Sequence, residues 1–327
     1  MRPKSYKKTK ISLSILLVML IASFLYDFIG PDDYRTMIHK LYDENGKLLK
    51  APPYPPSSDY LLGTDRDGRD NLMLIIDGIK YTFAALVAVS FLRVAIGTLM
   101  GILIENWLPA LKPFIKAFFL PFQYVPVLLI GVFLMNGYLF GYNEVPVIVK
   151  IEYQLIVLFV LGFPTVFFFT TDFIKEIKTK SFVTSSYLLG GSKWHIMVKQ
   201  ILPHLKPQLA LLFVQQVLQT LQIMMGLAMF SLFLGGPHKE TIYNTHYKKS
   251  ISNELAGLTG QNFWWLKYAS YIAISSLLVL LIIFLLIIII KNELVTNMEG
   301  KNEMVFKSSS KMKKRKSELT TIKGVSS

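Results

Sequence analysis

The feature that most constrains this chain is a series of long apolar runs. A helix needs about 20 mostly apolar residues to cross a bilayer core of about 30 Å, and six stretches qualify: 11–30, 82–104, 117–141, 154–171, 208–235 and 268–290. Only 17% of the 327 residues are charged, against about 25% in soluble domains. The sequence therefore predicts an all-α membrane protein with six transmembrane helices, the third kinked by Pro121 and Pro126.

The distribution of positive charge predicts how the chain crosses the membrane. The loops on the side of the two termini hold 22 Lys and Arg residues, and those on the other side hold 12. Because Lys and Arg are enriched in cytoplasmic loops, we expect both termini in the cytoplasm. The expected segments are a cytoplasmic N-terminus at 1–10, an uncleaved anchor at 11–30, an external loop at 31–81, a cytoplasmic loop at 172–207, and a basic, unstructured cytoplasmic tail at 291–327 along anionic lipid.

Residues that carry chemistry are scarce. The sequence has no P-loop and no H-E-x-x-H motif, no cysteine, and five histidines without metal-ligand spacing. Arg93 is the one charged residue near the middle of any of the six spans. We therefore expect no catalytic residue, no metal and no cofactor, and we interpret the chain as a conduit for a solute.

The loop 172–207 has the most informative pattern. Its apolar residues are spaced for two short helical pieces joined at Gly190 and Gly191, with Ser192 as the N-cap of the second piece and Pro203 as its end. Such a segment, with apolar side chains exposed, suits a groove in a cytosolic partner or the membrane surface.

Polar residues inside the spans are candidates for a substrate pathway. Gln215, Gln219 and Gln222 share one helical face, where they would either line a path for peptide backbones or join helices. Arg93 would contact a substrate carboxylate, pair with an acid of a partner subunit, or snorkel to the membrane surface.

Three further motifs accompany the spans. The first is G-T-D-R-D-G-R-D, whose glycines allow tight bends and whose charged residues can pair and cap the next helix; it comprises Gly63, Thr64, Asp65, Gly68, Arg69 and Asp70. Gly97 and Gly101 have the spacing that lets two helices approach closely. The third motif is S-L-F-L-G-G-P at 231–237.

In the same order, these motifs resemble those of permease subunits of binding-protein-dependent ABC importers in the dipeptide/oligopeptide/nickel family. The single span before the G-T-D box resembles the C-type subunit. The loop 184–203 is similar to the family's EAA loop, with Gly190, Leu202 and Pro203 in register. Departures mark a divergent member: Thr184, Ser185 and Ser186 replace Glu-Ala-Ala, and the family's usual motif after the last span is not recognisable.

The resemblance implies a type I ABC importer permease fold in the bacterial cytoplasmic membrane, with a permease core at 82–290. Such a subunit forms a translocation path for peptides with a second homologous permease, receives substrate from an extracytoplasmic binding protein, and does not itself hydrolyse ATP. Two cytosolic ATP-binding subunits would drive transport through the coupling loop, formed by Thr184, Ser185, Ser186, Gly190, Gly191, Leu202 and Pro203. Permeation of nickel or another small solute, a non-transporting scaffold or sensor, and a self-contained channel or carrier stay open as alternatives, whereas nucleic acid is not an expected partner.

Overall fold

The computed structural model describes residues 6–29, 41–42, 48–141, 145–242 and 245–324, and helices dominate them. In chain order they are α1 (Lys7–Ile29), α2 (Asn71–Trp107), α3 (Lys112–Phe119), α4 (Pro121–Tyr124), α5 (Val127–Gly141), α6 (Val147–Lys178), α7 (Ser181–Leu188), α8 (Lys193–Ile196), α9 (Leu202–Met229), α10 (Leu255–Phe263) and α11 (Ser270–Gly324). Two antiparallel hairpins pair β1 (Leu41–Tyr42) with β2 (Leu48–Lys50) and β3 (Pro237–Ile242) with β4 (Thr245–Ser250).

Within these ranges, five helices are long and apolar enough to cross a membrane. They are Lys7–Ile29, Asn71–Trp107, Val147–Lys178, Lys193–Met229 and Ser270–Glu299. They coincide with five of the six predicted spans, so the multi-pass helical class is confirmed. The count of six is not confirmed, because the remaining span is not one long helix.

The predicted span 117–141 is divided among α3, α4 and α5. Pro121 starts α4, and Val125 is extended, with φ −92° and ψ 130°, because a residue before proline is driven out of the helical region. The expected kink is therefore a break. At 15 residues, α5 is about 22 Å long, which is shorter than the bilayer core.

Two helix ends differ from the sequence-predicted bounds for local reasons. α2 begins at Asn71 because Asp70 caps it: the Asp70 Oδ1 accepts from the N–H of Leu72 at 2.8 Å and of Met73 at 3.4 Å. α9 ends at Met229, earlier than predicted, because Ser231 has φ 60° and the following glycines also have positive φ.

The core lies where α2, α6, α9 and α11 meet around fully buried apolar side chains, among them Val89, Leu158, Leu221 and Leu280. α2 and α6 approach closely at the predicted glycines. A Cβ on Gly97 would lie 2.7 Å from the Val166 Cγ1, and one on Gly101 would lie 2.8 Å from the Thr170 Cβ. The close approach predicted from their spacing is confirmed.

α1 is bound to the bundle at both of its ends. Near one end, the Lys80 ammonium of α2 pairs with Asp27 of α1 and, at 2.8 Å, with Asp77. At the other end, the Glu293 carboxylate of α11 accepts from the N–H groups of Lys8 at 3.2 Å and Thr9 at 2.5 Å. The beginning of α1 and residue 293 of α11 therefore lie at the same end of the bundle.

The helix α11 continues to Gly324, where the sequence analysis expected an unstructured tail. The stretch 301–324 contains no proline and has seven Lys and one Arg, which are good helix formers. The expectation of an unstructured backbone is therefore wrong, whereas contact between this segment and anionic lipid stays a prediction.

Candidate functional site

Residues 179–203, between α6 and the body of α9, form a bent helical segment that we call the elbow. Its first helix, α7, ends in a turn in which the N–H of Gly190 donates to the Tyr187 carbonyl at 3.0 Å and the N–H of Gly191 donates to the Ser186 carbonyl at 2.9 Å. This is a Schellman helix end. Gly190 has φ +84°, a conformation that residues with a Cβ rarely adopt. The predicted joint at the two glycines is confirmed.

The second half of the elbow starts at the predicted cap. The Ser192 Oγ accepts from the N–H of His195 at 3.2 Å and begins α8. The prediction that Pro203 ends this piece is wrong, because the helical run is continuous from Lys193 to Met229. A π-helical turn at Met197–Ile201 comes directly before α9 and widens the helix, which relieves the collision that a proline ring makes with the preceding turn.

The inner side of the elbow is fixed to the bundle by a small apolar core. Six side chains from α6, α7, α8 and the π turn pack together, each at most 7% exposed, and Ile102 of α2 packs against them; the six are Ile174, Ile177, Val183, Ile196, Met197 and Ile201. The Lys178 ammonium also donates to the Glu105 carbonyl of α2 at 2.9 Å. The inner side of the elbow is thus packed tightly against α2 and α6.

The outer side of the elbow exposes large apolar side chains. Leu188 is 83% exposed, Leu189 is 88% and Trp194 is 65%. The Trp194 ring lies 6.1 Å from that of Trp107, at the end of α2. Exposed apolar residues that are concentrated on one surface are typical of a site that binds a partner.

The remaining predicted coupling residues lie on both halves of the elbow. Thr184 and Ser185 are exposed, and Ser186 is half-buried behind Gly191. A Cβ on Gly191 would lie 2.8 Å from the Ser186 carbonyl oxygen. Leu202 is half-buried and Pro203 is exposed, directly after the π turn that follows α8. The structure therefore brings the predicted coupling residues together on one elbow.

Arg93 lies at the centre of the bundle and is fully buried. Its Nη1 donates to the Gln216 Oε1 at 3.1 Å and the Thr220 Oγ1 at 3.0 Å, and its Nε donates to the Leu158 carbonyl at 3.1 Å. Gly162 makes room, since a Cβ there would lie 2.1 Å from the Arg93 Cζ. The guanidinium thus joins α2, α6 and α9 within one chain, and its role in a substrate pathway stays a prediction.

Arg93 bonds to Gln216 of α9 and not to the three glutamines of the predicted face. Gln215 and Gln219 are half-buried and Gln222 is exposed. The Gln219 Oε1 is buried without a hydrogen-bond partner among the described residues. Gln216, which binds Arg93, was not predicted to have a role, because it does not share the helical face of the other three glutamines.

The G-T-D-R-D-G-R-D box forms a closed turn before α2. The Asp65 Oδ1 accepts from the N–H of Arg69 at 2.8 Å, and the Arg69 Nε donates to the Asp65 Oδ2 at 2.8 Å. Thr64 is buried and its Oγ1 accepts from the N–H of Tyr54 at 2.8 Å. The predicted pairing of an Asp with an Arg, and the predicted cap by Asp70, are confirmed.

The positive φ values of Gly63 and Gly68, 70° and 84°, produce the bends of the box. Its Asp67 Oδ2 lies 2.6 Å from the Lys249 Nζ of β4. A Cβ on Gly63 would lie 2.5 Å from the Tyr271 ring of α11. The box therefore joins α2 to the second hairpin and to α11.

Two polar residues that the sequence analysis missed order the turn after α9. The Gln154 Nε2 donates to the Phe233 carbonyl at 2.6 Å and its Oε1 accepts from the N–H of Gly235 at 2.6 Å. The Glu254 carboxyl caps α10 by accepting from the N–H groups of Ala256 at 2.7 Å and Gly257 at 2.6 Å. Complete burial raises the pKa of Glu254 to about 7. In the sequence, Gln154 is marked only by its apolar neighbours, and Glu254 only by its place before a helix.

The fold defines a multi-pass membrane protein whose elbow is packed against the bundle and exposes large apolar side chains. Comparison with known families gives the class: the family described as binding-protein-dependent transport system inner membrane component matches residues 94–293. The match covers more than half of the chain, so the chain belongs to this family, the permeases of ABC importers in the cytoplasmic membrane, which work with ATP-binding and substrate-binding partners. A search of curated proteins found no match.

Proposed function

We propose that this chain is the permease subunit of an ABC importer for di- or oligopeptides, and that an ATP-binding subunit docks on the elbow. The observation that carries the proposal is the contrast between the two sides of the elbow. On the outer side, Leu188 and Leu189 are 83% and 88% exposed. The apolar side chains of the inner side are buried against α2 and α6. A short helical segment that is packed against its own protein and exposes apolar side chains can bind in a groove of a second protein.

The helical run from Lys193 to Met229 would carry movement from the elbow into the membrane. Because this run is continuous, a force applied to α8 would move α8 and α9 together as one rigid helix. Arg93 links α9 to α2 and α6, so the three helices would rock together between outward-open and inward-open states.

The glutamine face of α9 supports a role at the junction with a second permease. In the single chain Gln222 is exposed and the Gln219 Oε1 has no partner in the described ranges. Amide groups within a membrane require hydrogen-bond partners, which a second permease or a peptide backbone in the pathway would supply. Neutral amides bind a backbone without trapping a charged substrate.

The substrate class rests on the G-T-D-R-D-G-R-D box, which resembles that of dipeptide/oligopeptide/nickel permeases and lies outside the residues matched by the family. Its contacts with β4 and α11 would stabilise the external surface on which a substrate-binding protein releases its cargo.

The docking proposal is tested by changing the outer side of the elbow alone. Co-isolation from membranes in mild detergent should recover two ATP-binding subunits, and the double change Leu188→Asp and Leu189→Asp should remove them. The matched control is Leu61→Asp, because Leu61 is 67% exposed in the external segment. Equal recovery of ATP-binding subunits from the double variant and from wild type would contradict the proposal.

The substrate is tested by uptake into vesicles that contain the complete transporter and its binding protein. Labelled dipeptides, longer peptides and nickel are compared at equal concentration. ATP-dependent accumulation of peptides supports the proposal. Accumulation of nickel alone would retain the docking account but replace the substrate class, and ATPase binding without accumulation of any solute would favour a scaffold or sensor.

A further inference from the structure

A cleft of about 710 Å³ lies between α1 and α11, at the end of the bundle where Glu293 caps α1. Its volume is within the roughly 300–1,000 Å³ of small-molecule sites. The elbow and the glutamine face do not contribute to it, so it is separate from the site proposed above.

The walls of the cleft change from polar to apolar along the helices. Ile11 and Ile15 of α1 face Leu286 and Ile289 of α11, whereas Lys8 and Asn292 lie at the rim. From Lys8 to Ile15 the rise along α1 is about 10 Å. This gradient matches the passage from the headgroup region into the acyl region of one leaflet.

The two helices that frame the cleft are joined by Glu293 of α11 at the beginning of α1. Both of its carboxylate oxygens accept from backbone N–H groups of α1, those of Lys8 and Thr9. A carboxylate bound to a helix N-terminus is compensated by the partial positive charge there. The Lys8 side chain is exposed at the rim, so the rim carries a positive charge.

We propose that this cleft is a binding site for one anionic phospholipid. An acyl chain would lie between Ile15 and Ile289, and the phosphate would lie at the rim beside the Lys8 ammonium and the Asn292 amide. The occupant follows from position and charge, since the cleft lies between two helices long and apolar enough to cross a membrane and combines an apolar wall with a basic rim.

Native mass spectrometry of the delipidated complex, titrated with dioleoyl phosphatidylglycerol or dioleoyl phosphatidylcholine, tests the proposal. We expect one tightly bound phosphatidylglycerol, preferred about fivefold, because one Lys at an anionic surface contributes about that factor. Ile289→Trp fills the cleft and should weaken binding at least tenfold. Leu285→Trp is the matched control, since Leu285 is exposed on α11 and does not line the cleft.

Charge is tested separately from shape. Lys8→Gln should abolish the preference for phosphatidylglycerol, and Lys10→Gln, whose side chain is outside the cleft, should retain it. Equal lipid binding by the two Trp variants, or equal affinity of the wild-type complex for the two lipids, would overturn the proposal. So would Ile289→Cys cross-linking to another subunit in the assembled complex, because a protein helix would then occupy the cleft.

Discussion

The backbone N–H of Gly191 donates to the carbonyl oxygen of Ser186 at 2.9 Å, and this bond closes the turn at the centre of the elbow. A Cβ on Gly191 would lie 2.8 Å from the same oxygen. Gly190 has open space around it but φ +84°. The two glycines are therefore required for different reasons, Gly191 by close contact and Gly190 by backbone conformation.

This difference gives the first prediction. Gly190→Val should strain the turn by about 1–2 kcal/mol, because a Cβ is disfavoured in the left-handed conformation, and should lower ATP-driven uptake without reducing the amount of chain in the membrane. Gly190→Asn is the control, since Asn tolerates this conformation better. Uptake and membrane level are measured in the same vesicles, and wild-type uptake by Gly190→Val would count against the coupling role of the turn.

The second prediction concerns the close contact of α2 and α6. Gly97→Ala should destabilise the folded chain by about 1–3 kcal/mol, because the added methyl group overlaps Val166. Gly137→Ala in α5 is the matched control: Gly137 has nothing within 4 Å of an added Cβ, so this change should be neutral or slightly stabilising. Thermal unfolding in detergent compares the two variants, and equal effects would contradict the packing argument.

The third prediction separates two roles of Arg93. Arg93→Leu should lower the free energy of unfolding by about 2–4 kcal/mol, because three interhelical partners are lost at about 1 kcal/mol each. Combining it with Gln216→Leu should give less than the sum of the single effects, because the two side chains share a hydrogen bond. If Arg93→Leu instead left stability unchanged and altered only substrate selection, Arg93 would be a pathway residue.

The fourth prediction follows from the buried acid that caps α10. The pKa of Glu254 is raised by burial from 4.5 to about 7, so the folded chain holds a proton that the unfolded chain releases above pH 4.5. Stability should therefore decrease by about 3 kcal/mol as the pH rises from about 4.5 to 7, and then level off. The free energy of unfolding is measured from pH 5 to 8, and its decrease with pH should be absent in the Glu254→Gln variant. A wild-type profile without the slope would show that the carboxyl is ionised in the folded state.

Local signals in the sequence predicted much of this structure. Ser192, Asp70 and Gly190 act through hydrogen bonds or backbone angles within a few residues, so their roles as caps and as a joint were predictable. Five of the long apolar runs were equally clear. The spacing of Gly97 and Gly101 also predicted a close helix pair, although it could not show that α6 is the partner.

The errors arose where distant or competing contacts decide the structure. The binding of Arg93 to Gln216 joins residues 123 positions apart, which no periodicity indicates. Pro203 was predicted to end a helix, but the π turn before it accommodates the ring. The segment 117–141 was predicted to be one helix kinked at its two prolines, but it is divided into separate helices.

The central claim is that an ATP-binding subunit presses on the outer side of the elbow, and the absence of native cysteines permits a direct test. Leu189→Cys is introduced into the complete transporter and labelled with a thiol-reactive photo-cross-linker in inside-out membrane vesicles, which are then irradiated with and without ATP. The account predicts a cross-link to an ATP-binding subunit whose yield changes with ATP. It would be contradicted if no such cross-link formed and the same cysteine reacted with a membrane-impermeant maleimide from outside intact cells.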